Sequence, residues 1–146
     1  MEIEIKTLEV TAIDTTVNID ANSAPPVEEK VSVNTLQQVT LIEMTGDVDA
    51  STAPLVQERV LPLAQPGAKL VLDMTNVPYM SSAGLRFLLS LYRQVTAKQG
   101  QLVLVGIVEE IQDTMSVTGF IDFFTICDTL PSALETLNVK LQNLSV

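Results

Sequence analysis

Apolar positions fall into two alternating kinds of run. Val39-Thr40-Leu41-Ile42-Glu43-Met44 reads as a strand, ended by Thr45-Gly46-Asp47. Lys69 to Thr75 holds a continuous apolar stretch, the pattern of a strand buried on both faces. Leu102 to Ile107 reads the same way, and Phe123 to Asp128 gives a fourth strand. Between these runs the apolar period changes to that of a helix. Val56, Val60 and Leu63 share one face, with Ser51 or Thr52 as the cap and Pro54 in the first turn. Pro62 should kink or end that helix. Leu85, Leu88, Leu89, Tyr92 and Val95 line a longer helix, with Lys98 in its last turn and Gly100 as a left-handed stop. Ile111 and Met115 mark a shorter helix that Gly119 can end. A last helix runs through Pro131, Leu134, Leu137 and Leu141, capped by Asp128 or Thr129.

Strand and helix thus alternate four times, preceded by one or two strands. Right-handed crossovers follow, and with them a mostly parallel sheet. The class is α/β: a single domain with four to five central strands and about four helices packed mainly on one face. A doubly wound sheet is the alternative arrangement. Residues 1–34 differ in composition, being rich in Thr, Asn, Asp, Glu and Val. Alternation at Ile3, Ile5, Leu8 and Val10 suggests one added strand, and Asn22-Ser23-Ala24-Pro25-Pro26 a turn or linker. The expected division is an N-terminal extension over 1–34 and the α/β domain over 35–146.

Composition narrows the chemistry. The chain has 146 residues, no His, and a net charge of −10. Without His there is no Ser-His-Asp triad, imidazole base or phosphohistidine relay. The single Cys127 excludes an internal disulfide, and its place in a strand pattern reads as core. The acidic balance argues against nucleic acid, whose phosphates call for a basic footprint, and against an anionic membrane surface. The acidic start, Met1-Glu2-Ile3-Glu4-Ile5, is unlike a signal peptide, and no apolar run reaches membrane-spanning length. A cytoplasmic location is expected. Glycine-rich phosphate loops are absent too, so neither a cofactor nor enzymatic activity is expected.

Two strand-to-helix corners stand out. One is Thr45-Gly46-Asp47-Val48-Asp49-Ala50-Ser51-Thr52; the other runs from Asp73 through Ser81-Ser82-Ala83-Gly84 to Leu85. Loops beyond the carboxyl ends of parallel strands are where α/β sheets place their sites. The plain alternative is that Ser81 or Ser82 only caps a helix, Gly84 only eases packing, and the acids only favour a helix start. A Mg²⁺ site at Asp47 and Asp49 would need convergent oxygens from elsewhere, with Asp73 a candidate, so no metal site is expected.

Together the corners resemble those of STAS-domain proteins of the bacterial anti-sigma factor antagonist type. Gly46-Asp47-Val48-Asp49-Ala50-Ser51-Thr52 is similar to that family's first corner, roughly G-E-L-D-x-x-T. Asp73 through Leu85 is similar in register to its second, roughly D-L-S-x-V-x-F-M-D-S-S-G-L. The likeness spans about residues 33–140 and makes residues 35–146 a STAS-like domain. It implies partner switching: the unphosphorylated protein binds an anti-sigma factor that is also a Ser/Thr kinase. Phosphorylation ends that binding, and a PP2C-type phosphatase reverses it. In register the modified residue is Ser82, with Ser81 as the alternative. Gly46, Asp47, Asp49, Thr52, Ser81, Ala83 and Gly84 are the implied docking residues. The family's Asp before the modified Ser is Ser81 here, and its following Ser is Ala83. A monomer or weak homodimer is expected. A STAS subunit or sensor in a larger signalling or transport assembly is the other binding reading. A nucleotide hydrolase is the enzymatic one, and no base or phosphate loop supports it.

Overall fold

The computed structural model describes residues 1–12, 15–20, 27–31, 36–137 and 139–141. The turn or linker expected at residues 22–26 lies outside them. Strands β1 (Glu2–Ala12), β4 (Leu36–Thr45), β5 (Lys69–Asn76), β6 (Gln101–Val105), β7 (Thr125–Cys127) and β8 (Val139–Leu141) form one sheet. Its order is β7-β6-β5-β4-β1-β8, and β2 (Thr15–Asp20) and β3 (Val27–Val31) pair separately as an antiparallel ribbon. Strands β4 to β7 run parallel, as the alternation of strands and helices requires. Strand β1 lies antiparallel against β4, from Glu2↔Thr45 to Thr11↔Leu36, and the short β8 adds antiparallel to β1.

The helices are α1 (Ala53–Val60), α2 (Ser82–Ala97), α3 (Glu109–Val117) and α4 (Leu130–Thr136). Alternation along the strands builds two cores. Ile42, Met44, Leu70, Leu72, Met74 and Leu104 face Val56, Val60, Phe87, Leu88, Leu91, Ile111 and Met115 of the first three helices. Val39, Leu41, Val71, Val103 and Val105 face Ala133 and Leu134 of α4. Helices therefore cover mainly one face, as the one-sided apolar stripes suggested. Strand β1 serves both cores. Ile3 and Ile5 pack against the first, while Leu8 and Val10 belong to the second. The three-residue step from Ile5 to Leu8 moves the apolar set across the strand, since successive side chains alternate faces.

Four local expectations are corrected. Thr52 stands at the N-cap position of α1, but neither its side chain nor that of Ser51 caps a helix amide. Gly100 is not the left-handed residue after α2: Gln99 is, at φ 58°. Gly100 is instead a point of close approach, where a Cβ would lie 2.6 Å from the Ala68 carbonyl oxygen. Phe123 lies in a 3-10 turn, Phe120–Phe123, and β7 starts only at Thr125. Leu141 lies in β8, because α4 ends at Thr136 and the chain returns to pair with β1. Elsewhere the punctuation holds. The first helix gives way at Leu61–Leu63 to a 3-10 turn containing Pro62, and Gly119 takes φ 78° after α3.

Candidate functional site

The two corners meet beyond the carboxyl ends of β4 and β5. The Val48 amide donates to the Tyr79 carbonyl at 3.0 Å, and the Ser81 amide donates to the Val48 carbonyl at 2.9 Å. These bonds form an isolated parallel bridge, Val48↔Met80. The Gly46 amide adds a third link, to the Asn76 carbonyl at 3.0 Å. Gly46 holds φ 110°, a conformation open mainly to glycine, so the chain can turn sharply out of β4. Val48 and Met80 are buried beneath the bridge.

Gly84 makes the junction tight. A Cβ there would run into Met80 Cγ and come within 2.8 Å of the Val48 carbonyl oxygen. The first turn of α2 therefore rests directly on the backbone of the first corner. The lack of a side chain at Gly84 is therefore a geometric need of the junction.

Ser81 and Ser82 have different environments. Ser81 is the N-cap of α2, half-buried, and its Oγ accepts from the Ala83 amide at 3.2 Å. Ser82 is the first helical residue and is exposed, with no side-chain hydrogen bond among the described residues. The capping reading is thus correct for Ser81 and leaves the Ser82 hydroxyl free. Arg86 lies one turn further and its Nε donates to the Ser82 carbonyl oxygen at 3.4 Å.

Asp49 organises the first corner. Its Oδ1 accepts from Ser51 Oγ at 2.6 Å, the Ser51 amide at 2.9 Å and the Thr52 amide at 3.1 Å. The Ser51 hydroxyl foremost, with the two amides, holds the Asp49 carboxyl below its ordinary range. Thr52 Oγ1 closes the loop, donating to the Asp47 carbonyl at 2.8 Å and accepting from the Asp49 amide at 3.0 Å. Asp47 is exposed beside them. The expected docking residues Gly46, Asp47, Asp49, Thr52, Ser81, Ala83 and Gly84 therefore come from two joined corners, with Ser82 alongside.

Asp73 behaves otherwise. Its Oδ1 accepts from the Thr75 hydroxyl at 2.6 Å and the Thr75 amide at 2.9 Å. It pairs in register with Glu43, one residue from the inward-facing Met74. Among the described residues no cluster of three acidic or thiol side chains converges as a metal site would require. Sequence reasoning missed Tyr79, which is 53% exposed next to the bridge. Its place just before Met80-Ser81 was the available signal. Arg86 was missed as well, and its i+4 spacing from Ser82 could have revealed it.

The described residues thus form an open α/β layer with two strand-to-helix corners linked beyond the carboxyl ends of β4 and β5. The sequence matches the family model for the STAS domain over residues 30–133. The chain belongs to the STAS domain family. It is 33% identical over 128 residues to an anti-sigma-B factor antagonist of Listeria monocytogenes, covering 86% of this chain and 88% of that protein. A match to the Bordetella bronchiseptica protein BtrV is shorter, 30% identity over 73 residues, or 50% of this chain and 63% of that protein. The fold agrees with the crystal structure of an anti-sigma factor antagonist from Mycobacterium paratuberculosis. That likeness has a TM-score of 0.57 and 23% identity, and covers 84% of this chain and 92% of the other. Among the described residues no helix is long and apolar enough to cross a membrane.

Proposed function

We propose that this chain is an anti-sigma factor antagonist controlled by phosphorylation of Ser82. In its unmodified form it binds an anti-sigma factor that is also a Ser/Thr kinase, releasing a sigma factor. The kinase then modifies Ser82 and ends the binding, and a PP2C-type phosphatase restores it. It acts in the cytoplasm as a monomer or weak homodimer. The anti-sigma-B factor antagonist relatives support the general role. The observation that carries the residue assignment is the contrast between the two serines. Ser82 Oγ is exposed and uncommitted, whereas Ser81 Oγ is held as the cap of α2.

The physical reason for release is electrostatic. A phosphate adds roughly −1.5 to −2 charges near neutral pH. It would stand on the face that carries Asp47 and Asp49, in a chain of net charge −10. Close contact through Ala83 and the exposed Tyr79 leaves a docked partner little room for a hydrated dianion. The module itself needs no catalytic group, since partners supply the transfer and hydrolysis of phosphate.

Incubation with a cognate kinase and labelled ATP tests the assignment. Labelling should vanish in Ser82→Ala and persist in Ser81→Ala. Ser82→Asp should lose the kinase in a pull-down while keeping the wild-type circular dichroism spectrum. Equal labelling of wild type and Ser82→Ala would overturn the choice of residue.

A further inference from the structure

Arg86 has a place that the switch as described does not use. It is exposed on α2, four residues after Ser82, and its side chain folds back so that Nε contacts the Ser82 carbonyl oxygen at 3.4 Å. Among the described residues no carboxylate pairs with it; the ion pairs found are those of Lys6 with Glu4 and Glu43. Side chains four apart on a helix are neighbours, and a guanidinium offers several donors in a fork that matches a phosphate. The contact to the Ser82 carbonyl uses one donor and leaves the rest free.

We propose that Arg86 is the internal counter-ion of a phosphate carried by Ser82. This rests on the reading of Ser82 as the modified residue. The unmodified protein presents a positive group beside an uncharged hydroxyl, within a face otherwise bearing Asp47 and Asp49. Modification adds the anion and at the same time draws the Arg86 guanidinium onto it. A partner that used this cation loses it in the same step that brings the phosphate. The modified corner is then an ordered ion pair lying along α2, and the phosphate is held as the dianion.

The test uses full-length protein with phosphoserine installed at position 82 by genetic code expansion, so that no kinase is needed. The second phosphate ionisation is followed by ³¹P NMR at low salt. Arg86→Gln should make that ionisation about 1.4- to fivefold weaker than in wild type, the range for one exposed ion pair on a helix surface. Arg86→Lys should retain part of the effect, and high salt should remove most of it. Arg93→Gln makes the same change in net charge two turns further along and should leave the ionisation close to wild type. Asp47 and Asp49 are present in every variant, so the comparison isolates Arg86. Superimposable titrations of wild type and Arg86→Gln would overturn the proposal, as would an equal shift in Arg93→Gln. Failure of a native kinase to label Ser82 would count against the proposed function and leave this measurement unaffected.

Discussion

Replacing Gly84 by Ala tests whether the two corners are held together by close backbone contact. The added Cβ meets two groups that respond differently. Met80 Cγ belongs to a flexible side chain, although a buried one. The Val48 carbonyl, 2.8 Å away, is part of the bridge and moves only with the corner. Overpacking of this kind costs about 1–3 kcal/mol. Alanine regains up to about 1 kcal/mol through helix propensity, and less in a first turn. The net loss should be about 1–2 kcal/mol, or roughly 3–8 °C in melting temperature for a chain of this length. Urea unfolding followed by circular dichroism measures the first quantity and calorimetry the second. Gln94→Ala, at an exposed position on the same helix, should stay within about 0.5 kcal/mol of wild type. If Gly84→Ala matches or exceeds wild-type stability, α2 does not rest on the Val48 carbonyl and the account of the junction is wrong.

Other expectations concern the same region and its surroundings. Ser81→Ala should lose about 1 kcal/mol through the missing cap, whereas Ser82→Ala should be near neutral in the same denaturation experiment. Because the folded-state Asp49 carboxyl titrates below its ordinary value of 3.8, its hydrogen bonds stabilise the fold above that pH and are lost as pH falls through the lower folded value. Urea midpoints between about pH 5 and 2.5 should therefore fall less steeply in Asp49→Asn than in wild type; parallel curves would contradict this. Phe87, fully buried between α2 and the sheet, should cost about 3–5 kcal/mol when replaced by Ala, a loss readable as a lower urea midpoint.

The parallel strands and the long helix could be read from sequence because each carries one uninterrupted signal. Strand β5 is apolar on both sides, and α2 repeats its stripe over four turns before closing against Gly100. Misreadings arose where two requirements compete for one residue. Gly100 satisfies close packing against Ala68, so the left-handed conformation passes to Gln99. Leu141 continues the spacing of Leu134 and Leu137, yet antiparallel pairing with Val10 claims it for β8. Ser51 Oγ and Thr52 Oγ1 are spent within the first corner, on the Asp49 carboxylate and the Asp47 carbonyl, so neither caps α1. For the candidate site, the Gly46-to-Thr52 and Asp73-to-Leu85 motifs fall at two corners that the fold joins. Their direct contact was not legible. It depends on hydrogen bonds donated by the backbone amides of Val48 and Ser81, which any residue but proline at those positions could make.

The bridge between Val48 and Met80 separates position from identity. Amides and carbonyls fix where the exposed residues stand, and those groups are the same in nearly every amino acid. Ser82 and Ala83 can therefore exchange for other small residues while the platform beneath them keeps its shape. Such a surface can be rewritten for a new partner one side chain at a time, with little cost to folding. Ser81 and Gly84 are the exceptions, the first because its hydroxyl caps α2 and the second because the backbone contact leaves no room for a side chain.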